Sequence, residues 1–78
     1  MQPTPSYSFT LRVKLSARAG SLGELTTAIG RAGGDIGAID IVTVGNDYII
    51  RDITVSSVSS QHGEQIVETV KDLELQRH

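Results

Sequence analysis

The sequence contains no cysteine and no tryptophan, and only 4% of its residues are aromatic. Without cysteine the chain offers no disulfide framework, no thiolate metal site and no thiol nucleophile. This composition is compatible with the cytoplasm, which is the location that we expect. The aromatic side chains, Tyr7, Phe9 and Tyr48, are too few for the aromatic-rich surface on which RNA bases stack.

Charge of one sign and long apolar runs are also lacking. The net charge is −2 at pH 7, with both signs scattered along the chain, so there is no basic patch for a nucleic acid. No apolar run approaches the ~20 residues of a membrane span, and the start of the chain lacks a secretory signal pattern. We therefore expect neither nucleic acid nor a membrane as a partner.

Candidates for catalysis and metal binding are scarce as well. His62 and His78 are far apart with no cysteine near them, so the sequence predicts no metal site. No serine, histidine and aspartate stand in the context of a nucleophilic triad. The stretch Gly20–Gly23 is too short and wrongly spaced for a phosphate-binding loop. We expect this chain to have no enzymatic activity of its own and no cofactor.

The first strand is the clearest element of the chain. We expect a flexible lead-in over residues 1–6 and a single domain over residues 7–78, which is near the lower size limit for one hydrophobic core. From Tyr7 to Leu15 apolar residues hold the odd positions and polar residues hold all the even ones. This alternation predicts a strand with one buried face and one solvent-exposed face.

The segment after this strand has the spacing of an amphipathic helix. Apolar residues recur at every third or fourth position up to Ala32. We expect Ser21 to be the N-cap, in a capping box with Glu24. The glycine pair at 33–34 is then expected to end the helix.

Two further β-type runs and a second helix follow. The first run, Asp35 to Val44, is predicted to be a strand with a bulge at Gly37. A turn cluster at 45–47 joins it to a run from Tyr48 to Ser57, which predicts an antiparallel hairpin. A second helix is expected from Ser59 or Ser60 to about Leu73, with His62 exposed at its start.

This order of elements lacks one strand of the βαββαβ ferredoxin-like unit. We predict an α+β sandwich of that type, with an antiparallel sheet, two helices on one face and a last strand that is short or missing. Residues 75–78 are a candidate for a piece of that strand; otherwise the chain is a fragment of a longer enzyme. A missing strand leaves an open sheet edge, which favours association.

The residues around the first helix resemble the ACT domain family, small regulatory modules that bind amino acids and related metabolites. Gly20, Leu22, Leu25 and the stretch 33–36 carry this resemblance. The stretches 23–31 and 51–55 are similar to the N-terminal ACT-like domain of bacterial NAD-dependent malic enzymes, which are oxaloacetate-decarboxylating malate dehydrogenases. The resemblance covers the chain from about residue 7 to residue 73.

The resemblance implies a homodimer that acts in allosteric regulation of the catalytic domains of a parent enzyme. A small-molecule effector, an amino acid or small carboxylic acid, is expected between the first strand–helix loop of one protomer and the second strand of the other. Carried over by position, the ligand-binding residues are Arg18, Gly20, Ser21, Leu22, Asp35, Ile36 and Gly37. Helix-start amides suit a carboxylate, and Asp35 suits an ammonium group.

Two departures from the family pattern keep an alternative open. Ala17 stands near the position where amino-acid-binding members often carry Asp or Asn, and Asp35 stands where they often carry Asn. Ala19 replaces the usual loop proline. The alternative is a purely structural dimerisation module without a ligand. In that case Gly20 serves the backbone turn, Arg18 is a solvated loop charge and Asp35 caps the glycine turn.

Overall fold

The computed structural model describes the backbone of residues 7–76 and the side chains of residues 7–73. The elements follow in the order β1 (Tyr7–Ser16), α1 (Ser21–Arg31), β2 (Asp35–Val44), β3 (Tyr48–Ser57) and α2 (Ser60–Gln76). The strands form one three-stranded antiparallel sheet in the order β1–β3–β2. This arrangement confirms the predicted α+β fold class of a small ferredoxin-like domain. The expected lead-in, residues 1–6, lies outside the described residues.

The core lies between the sheet and the two helices. Directly opposite residues of antiparallel strands share a face, and the odd-numbered residues of β1 and β3 face the helices. The alternation of β1 is therefore confirmed. The core residues, each at most 3% exposed, are Val13, Leu15, Leu25, Ile29, Ile53, Val55, Ile66 and Val70.

The start of α1 differs from the prediction by one residue. Gly20 is the N-cap, with a φ of 88°, and Ser21 is the first residue of the helix. The prediction of Ser21 as N-cap is wrong, because the chain enters the helix through a left-handed backbone conformation, which glycine adopts without strain. Ser21 is 2% exposed and so lies at the edge of the core.

The end of α1 agrees with the prediction of a glycine stop. Gly33 has a φ of 89°, and its N–H donates to the carbonyl of Gly30 at 3.0 Å. The N–H of Gly34 donates to the carbonyl of Ile29 at 2.9 Å. These two bonds form a Schellman motif, which satisfies the last carbonyls of the helix.

The β2–β3 hairpin is also confirmed. The register shifts between Ile36 and Ile39, as the predicted bulge at Gly37 requires, and shifts again between Ile41 and Thr43. Within the described sheet β2 is an edge strand, and Ile36 is its one half-buried residue. The apolar residues of β2 therefore form surface rather than core in the single chain.

His62 connects the two helices instead of facing solvent. Its Nδ1 accepts the N–H of Val58 at 3.1 Å, so in the neutral ring Nε2 donates to the carbonyl of Ala32 at 2.7 Å. The N-cap of α2 is Ser59, whose Oγ accepts the N–H of His62 at 3.0 Å. The prediction of an exposed His62 is wrong, because the ring reaches across to the end of α1.

The end of the described chain is helical. Helix α2 continues past Leu73 to Gln76, so residues 75 and 76 do not form the piece of a fourth strand that their alternation suggested. Residues 77 and 78 lie outside the described part. Within residues 7–76, β1 pairs with β3 alone, which leaves its other edge open.

The solvent face of the sheet carries an ion pair. Arg12 lies opposite Asp52 in the register, and its Nε and Nη2 donate to the two carboxylate oxygens at 2.8 and 2.9 Å. The hydrogen bond from Arg12 is the main cause that lowers the pKa of Asp52 below its ordinary value. The same bond raises the pKa of Arg12.

We expect the stability difference between the native protein and Asp52→Asn to disappear in acid. Because the pKa of Asp52 is lower in the folded protein, the carboxylate stabilises the fold above the ordinary aspartate pKa. This contribution is lost as the pH falls through the folded pKa, below about pH 4. The effect is small because the pair is solvent-exposed.

Urea unfolding of both proteins between pH 7 and pH 2 measures this difference. The control is Asp47→Asn, because the described residues contain no ion pair with Asp47. If the difference in free energy of unfolding between the native protein and Asp52→Asn stays the same across the whole pH range, the role given to this ion pair is contradicted.

Candidate functional site

The predicted ligand-binding residues fall at the two ends of the sheet. Arg18, Gly20, Ser21 and Leu22 follow β1, whose last residue Ser16 pairs with Tyr48. Asp35, Ile36 and Gly37 begin β2, where Asp35 pairs with Ser56. Positions 48 and 56 are eight residues apart on β3, roughly 26 Å of extended strand. One chain therefore does not bring the two groups together.

Backbone hydrogen bonds hold the loop half of this site in place. The N–H of Ala17 donates to the carbonyl of Asp47 at the hairpin tip, at 3.0 Å. The N–H of Arg18 donates to Ser16 Oγ at 3.1 Å, and the N–H of Ser21 donates to the carbonyl of Arg18 at 3.2 Å. The loop thus fixes the first turn of α1, where a helix presents amide groups and a positive partial charge.

The side chains of this loop half have different surroundings. The Arg18 side chain is 53% exposed, and its Nη2 lies 3.7 Å from Glu24 Oε1. Ser21 is buried and Leu22 packs against the core, so neither projects freely into solvent. Gly20 contributes a left-handed backbone. A ligand at this loop would therefore meet backbone amides and Arg18.

The strand half of the site is more open. Asp35 is exposed and lies on the solvent face of the sheet, opposite Ser56. Ile36 lies on the helix side, opposite the core residue Val55. A Cβ at Gly37 would be 3.7 Å from the carbonyl oxygen of Thr54, so this part of the bulge packs close to β3.

Two open clefts, each of about 710 Å³, lie elsewhere on the surface. The first runs between β1 and α2, with Phe9, Leu11 and Val67 among its lining residues. The second lies on the helical side, between Thr27 and Arg31 of α1 and Thr69 of α2. None of the predicted ligand-binding residues lines either cleft.

The hairpin carries an exposed apolar surface that the sequence reasoning missed. Ile39, Ile41 and Val44, which we call the hairpin patch, are 40%, 61% and 66% exposed. They face the helix side of the sheet, because in the register they lie opposite Ile53, Arg51 and Ile49. The lengths of the predicted elements could have indicated this surface. The eleven residues of α1 span roughly 16 Å, about half the length of the ten-residue strand β2, so α1 is too short to cover the whole strand.

Metal-binding clusters are absent from the described part of the chain. There, no group of three or more His, Asp or Glu side chains is arranged to hold a metal ion. Neither helix, over its described residues, is long and apolar enough to cross a membrane.

Two curated proteins are similar to most of the chain. The NAD-dependent malic enzyme 1 of Bacillus subtilis (strain 168) is 38% identical over 64 residues, or 82% of this chain. The NAD-dependent malic enzyme of Geobacillus stearothermophilus is 33% identical over 68 residues, or 87% of this chain. These matches support the predicted resemblance of the chain to bacterial NAD-dependent malic enzymes.

The match to malic enzymes concerns a small part of those proteins. The chain spans 15% and 14% of the lengths of the two relatives, which suggests that it corresponds to one part of a malic enzyme. No family model matches the chain. The resemblance to malic enzymes is therefore supported, whereas the resemblance to the ACT domain stays a prediction.

Proposed function

We propose that the chain is an ACT-like regulatory and dimerisation domain of an NAD-dependent malic enzyme, which binds an amino acid or small carboxylic acid at a dimer interface. The ferredoxin-like fold and the similarity to malic enzymes support this function. The observation that carries the proposal is the separation of the two halves of the site at opposite ends of one sheet. A second protomer is the simplest way to bring them together.

The exposed edge of β2 is suited to this contact. A long apolar edge strand tends to pair with another strand, and β2 presents the hairpin patch. Two copies of β2 related by a twofold axis perpendicular to the sheet run antiparallel, so the start of one lies beside the end of the other. The end of β2 leads to Asp47, which bonds Ala17 in the loop. The partner's Asp35 then approaches the first turn of α1.

This arrangement gives the ligand a regulatory effect. Amides of the first turn of α1 hold a carboxylate of the effector, and the partner's Asp35 accepts a hydrogen bond from its polar groups. An effector bound to both protomers stabilises one relative orientation of the two over others. The difference in affinity between the orientations is the free energy that reaches the catalytic domains.

The alternative is a dimerisation module that binds no ligand. Ala17 and Ala19 favour it, because the first cannot supply a polar side chain to an effector. Calorimetric titration of the dimer with amino acids, four-carbon acids and acyl-CoA compounds separates the two functions. Heat of binding from one of these compounds supports the regulatory function, and flat titrations with all of them would leave only dimerisation.

We expect Ile41→Lys to convert the dimer into a monomer. Ile41 is 61% exposed in the single chain, so the change has little effect on the fold but places a charge inside the interface. Lysine is chosen because Arg51 lies opposite position 41 in the register and cannot neutralise a second cation. The control is Val58→Lys, because Val58 is 68% exposed in the loop before α2. Light scattering measures both molar masses, and an unchanged dimer with Ile41→Lys would contradict an interface on β2.

A further inference from the structure

His62 binds the chain immediately before the strand half of the predicted site. Its Nε2 lies 2.7 Å from the carbonyl oxygen of Ala32, which is the C-cap of α1. Only Gly33 and Gly34 separate Ala32 from Asp35, where β2 begins. The hydrogen bond therefore acts on the short segment that leads from α1 into the strand half.

The carbonyl of Ala32 is a group that α1 cannot satisfy by itself. The last carbonyls of a helix have no partner within the helix. The Schellman bonds from Gly33 and Gly34 use the carbonyls of Gly30 and Ile29, and the carbonyl of Ala32 is bonded by His62 instead. Because two consecutive glycines leave the backbone many conformations, the direction in which β2 leaves α1 depends on this outside contact.

One face of α2 contacts both glycines. A Cβ at Gly33 would lie 2.9 Å from His62 Nε2, and a Cβ at Gly34 would lie 3.1 Å from Ile66 Cδ1. Residues 62 and 66 are four positions apart, so their side chains are neighbours on the helix surface. The apolar contact of Ile66 keeps the segment close to α2. The hydrogen bond of His62 adds a preference for one distance and one angle.

The ring of His62 is held in turn by its second nitrogen. Nδ1 accepts the N–H of Val58 at 3.1 Å, and the backbone N–H of His62 donates to Ser59 Oγ at 3.0 Å. His62 is the third residue of α2, the position from which a capping-box side chain bonds back to the start of its helix. With both ring nitrogens bonded, the donor to Ala32 has a fixed orientation.

We propose that His62 is a positioning residue for the strand half of the effector site, and that it acts on Asp35 through the carbonyl of Ala32. This inference rests on the proposed function, because it concerns the alignment of the same interface site. In the proposed dimer Asp35 approaches the first turn of α1 in the partner protomer, so a change in the direction of β2 changes the site. The family resemblance does not supply this residue.

Two substitutions separate the two bonds of the ring. His62→Gln keeps an N–H donor at about the position of Nε2, so it can still bond the carbonyl of Ala32, but it has no acceptor at the position of Nδ1. His62→Asn keeps an acceptor at about the position of Nδ1 for the N–H of Val58, but it is too short to reach Ala32. Each variant is therefore the matched control of the other.

Hydrogen exchange of backbone amides, measured by NMR at one pH and one protein concentration, compares the variants. In His62→Asn the amides of Gly33 and Gly34 are expected to exchange at least about fivefold faster than in the native protein, because a hydrogen bond that opposes local opening is lost. In His62→Gln they are expected to exchange at the native rate. The amide of Ile53, in the middle strand, reports global unfolding, so its change corrects for a general loss of stability.

The other exchange patterns would overturn the inference. Native rates in both variants mean that the bond to Ala32 does not hold the segment. Faster exchange in His62→Gln alone means that His62 serves only the start of α2. Faster exchange in both variants, after correction by Ile53, means that the shape of the ring and not its bond to Ala32 is needed.

Effector binding distinguishes failure of this inference from failure of the proposed function. In calorimetric titrations with the same amino acids, four-carbon acids and acyl-CoA compounds, His62→Asn is expected to bind about twofold to fivefold more weakly than the native dimer, and His62→Gln equally well. If the native dimer binds none of them, the proposed regulatory function fails, and the exchange rates alone decide whether His62 positions the segment. If His62→Asn exchanges faster but binds as the native dimer does, the interface site stands and the role of His62 in it is wrong.

Discussion

Gly34→Ala is expected to destabilise the domain by about 1–3 kcal/mol, because it overpacks the core. A Cβ at this position would lie 2.8 Å from Ile29 Cγ2 and 3.0 Å from Val55 Cγ1. It would also lie 3.1 Å from Ile66 Cδ1, so atoms from α1, β3 and α2 must all shift. Urea unfolding at a fixed protein concentration measures the loss.

The matched control is Gly30→Ala, the same substitution four residues earlier. A Cβ at Gly30 meets nothing within 4 Å, and the residue lies inside α1, where alanine is favoured over glycine by about 0.5–1 kcal/mol. The two variants are therefore expected to shift the unfolding midpoint in opposite directions. If both shift it in the same direction, the packing assigned to Gly34 is wrong.

Ile53→Ala is expected to lower the free energy of unfolding by about 2–5 kcal/mol, which is the largest single effect that we foresee. Ile53 is 0% exposed and occupies the middle strand of the sheet, so its truncation leaves a cavity that few neighbours can fill. Small domains have total stabilities of roughly 5–15 kcal/mol. The urea midpoint of unfolding, followed by circular dichroism, is therefore expected to fall by a large fraction of its native value.

Ile39→Ala tests whether burial, rather than strand position, sets this cost. Ile39 lies directly opposite Ile53 on the same face, yet it is 40% exposed. Its truncation removes less buried surface, so the expected loss is well below that of Ile53→Ala. Measurement at concentrations too low for dimers keeps the interface out of the comparison. Similar losses for the two variants would contradict the core described above.

Local patterns predict much of this fold. The alternation over Tyr7–Leu15 predicts β1 and its buried face, and the glycine pair after Ala32 predicts the end of α1. Both features depend on interactions within a few residues, which short stretches of sequence encode. The turn cluster at 45–47 similarly predicts the β2–β3 hairpin.

Features that depend on distant contacts were harder to predict. His62 spans two helices, and its partner carbonyl at Ala32 is 30 residues away in the chain. The alternation after Leu73 suggested a strand, but the helical run of α2 continues to Gln76. At the start of α1, Ser21 has a good N-cap side chain, but the left-handed turn at Gly20 places the cap one residue earlier.

Arg51 shows the same limit more strongly. In the sequence, Arg51 and Asp52 together interrupt an apolar run between Ile50 and Ile53, so Arg51 has no evident face. The register of β3 with Val13 assigns it to the helix side, and that register involves residues far apart in the chain. The pairing of two protomers is a further step, because residue patterns predict an exposed edge but not what covers it.

The molar mass of the chain in solution tests the central claim most directly. We expect light scattering to give twice the 8.3 kDa of one chain. We also expect the unfolding midpoint of that dimer to rise when a pool of amino acids and four-carbon acids is added, because a ligand that binds only the folded dimer stabilises it. A stable monomer would contradict the interface site, because one chain keeps the two halves of the site at opposite ends of the sheet.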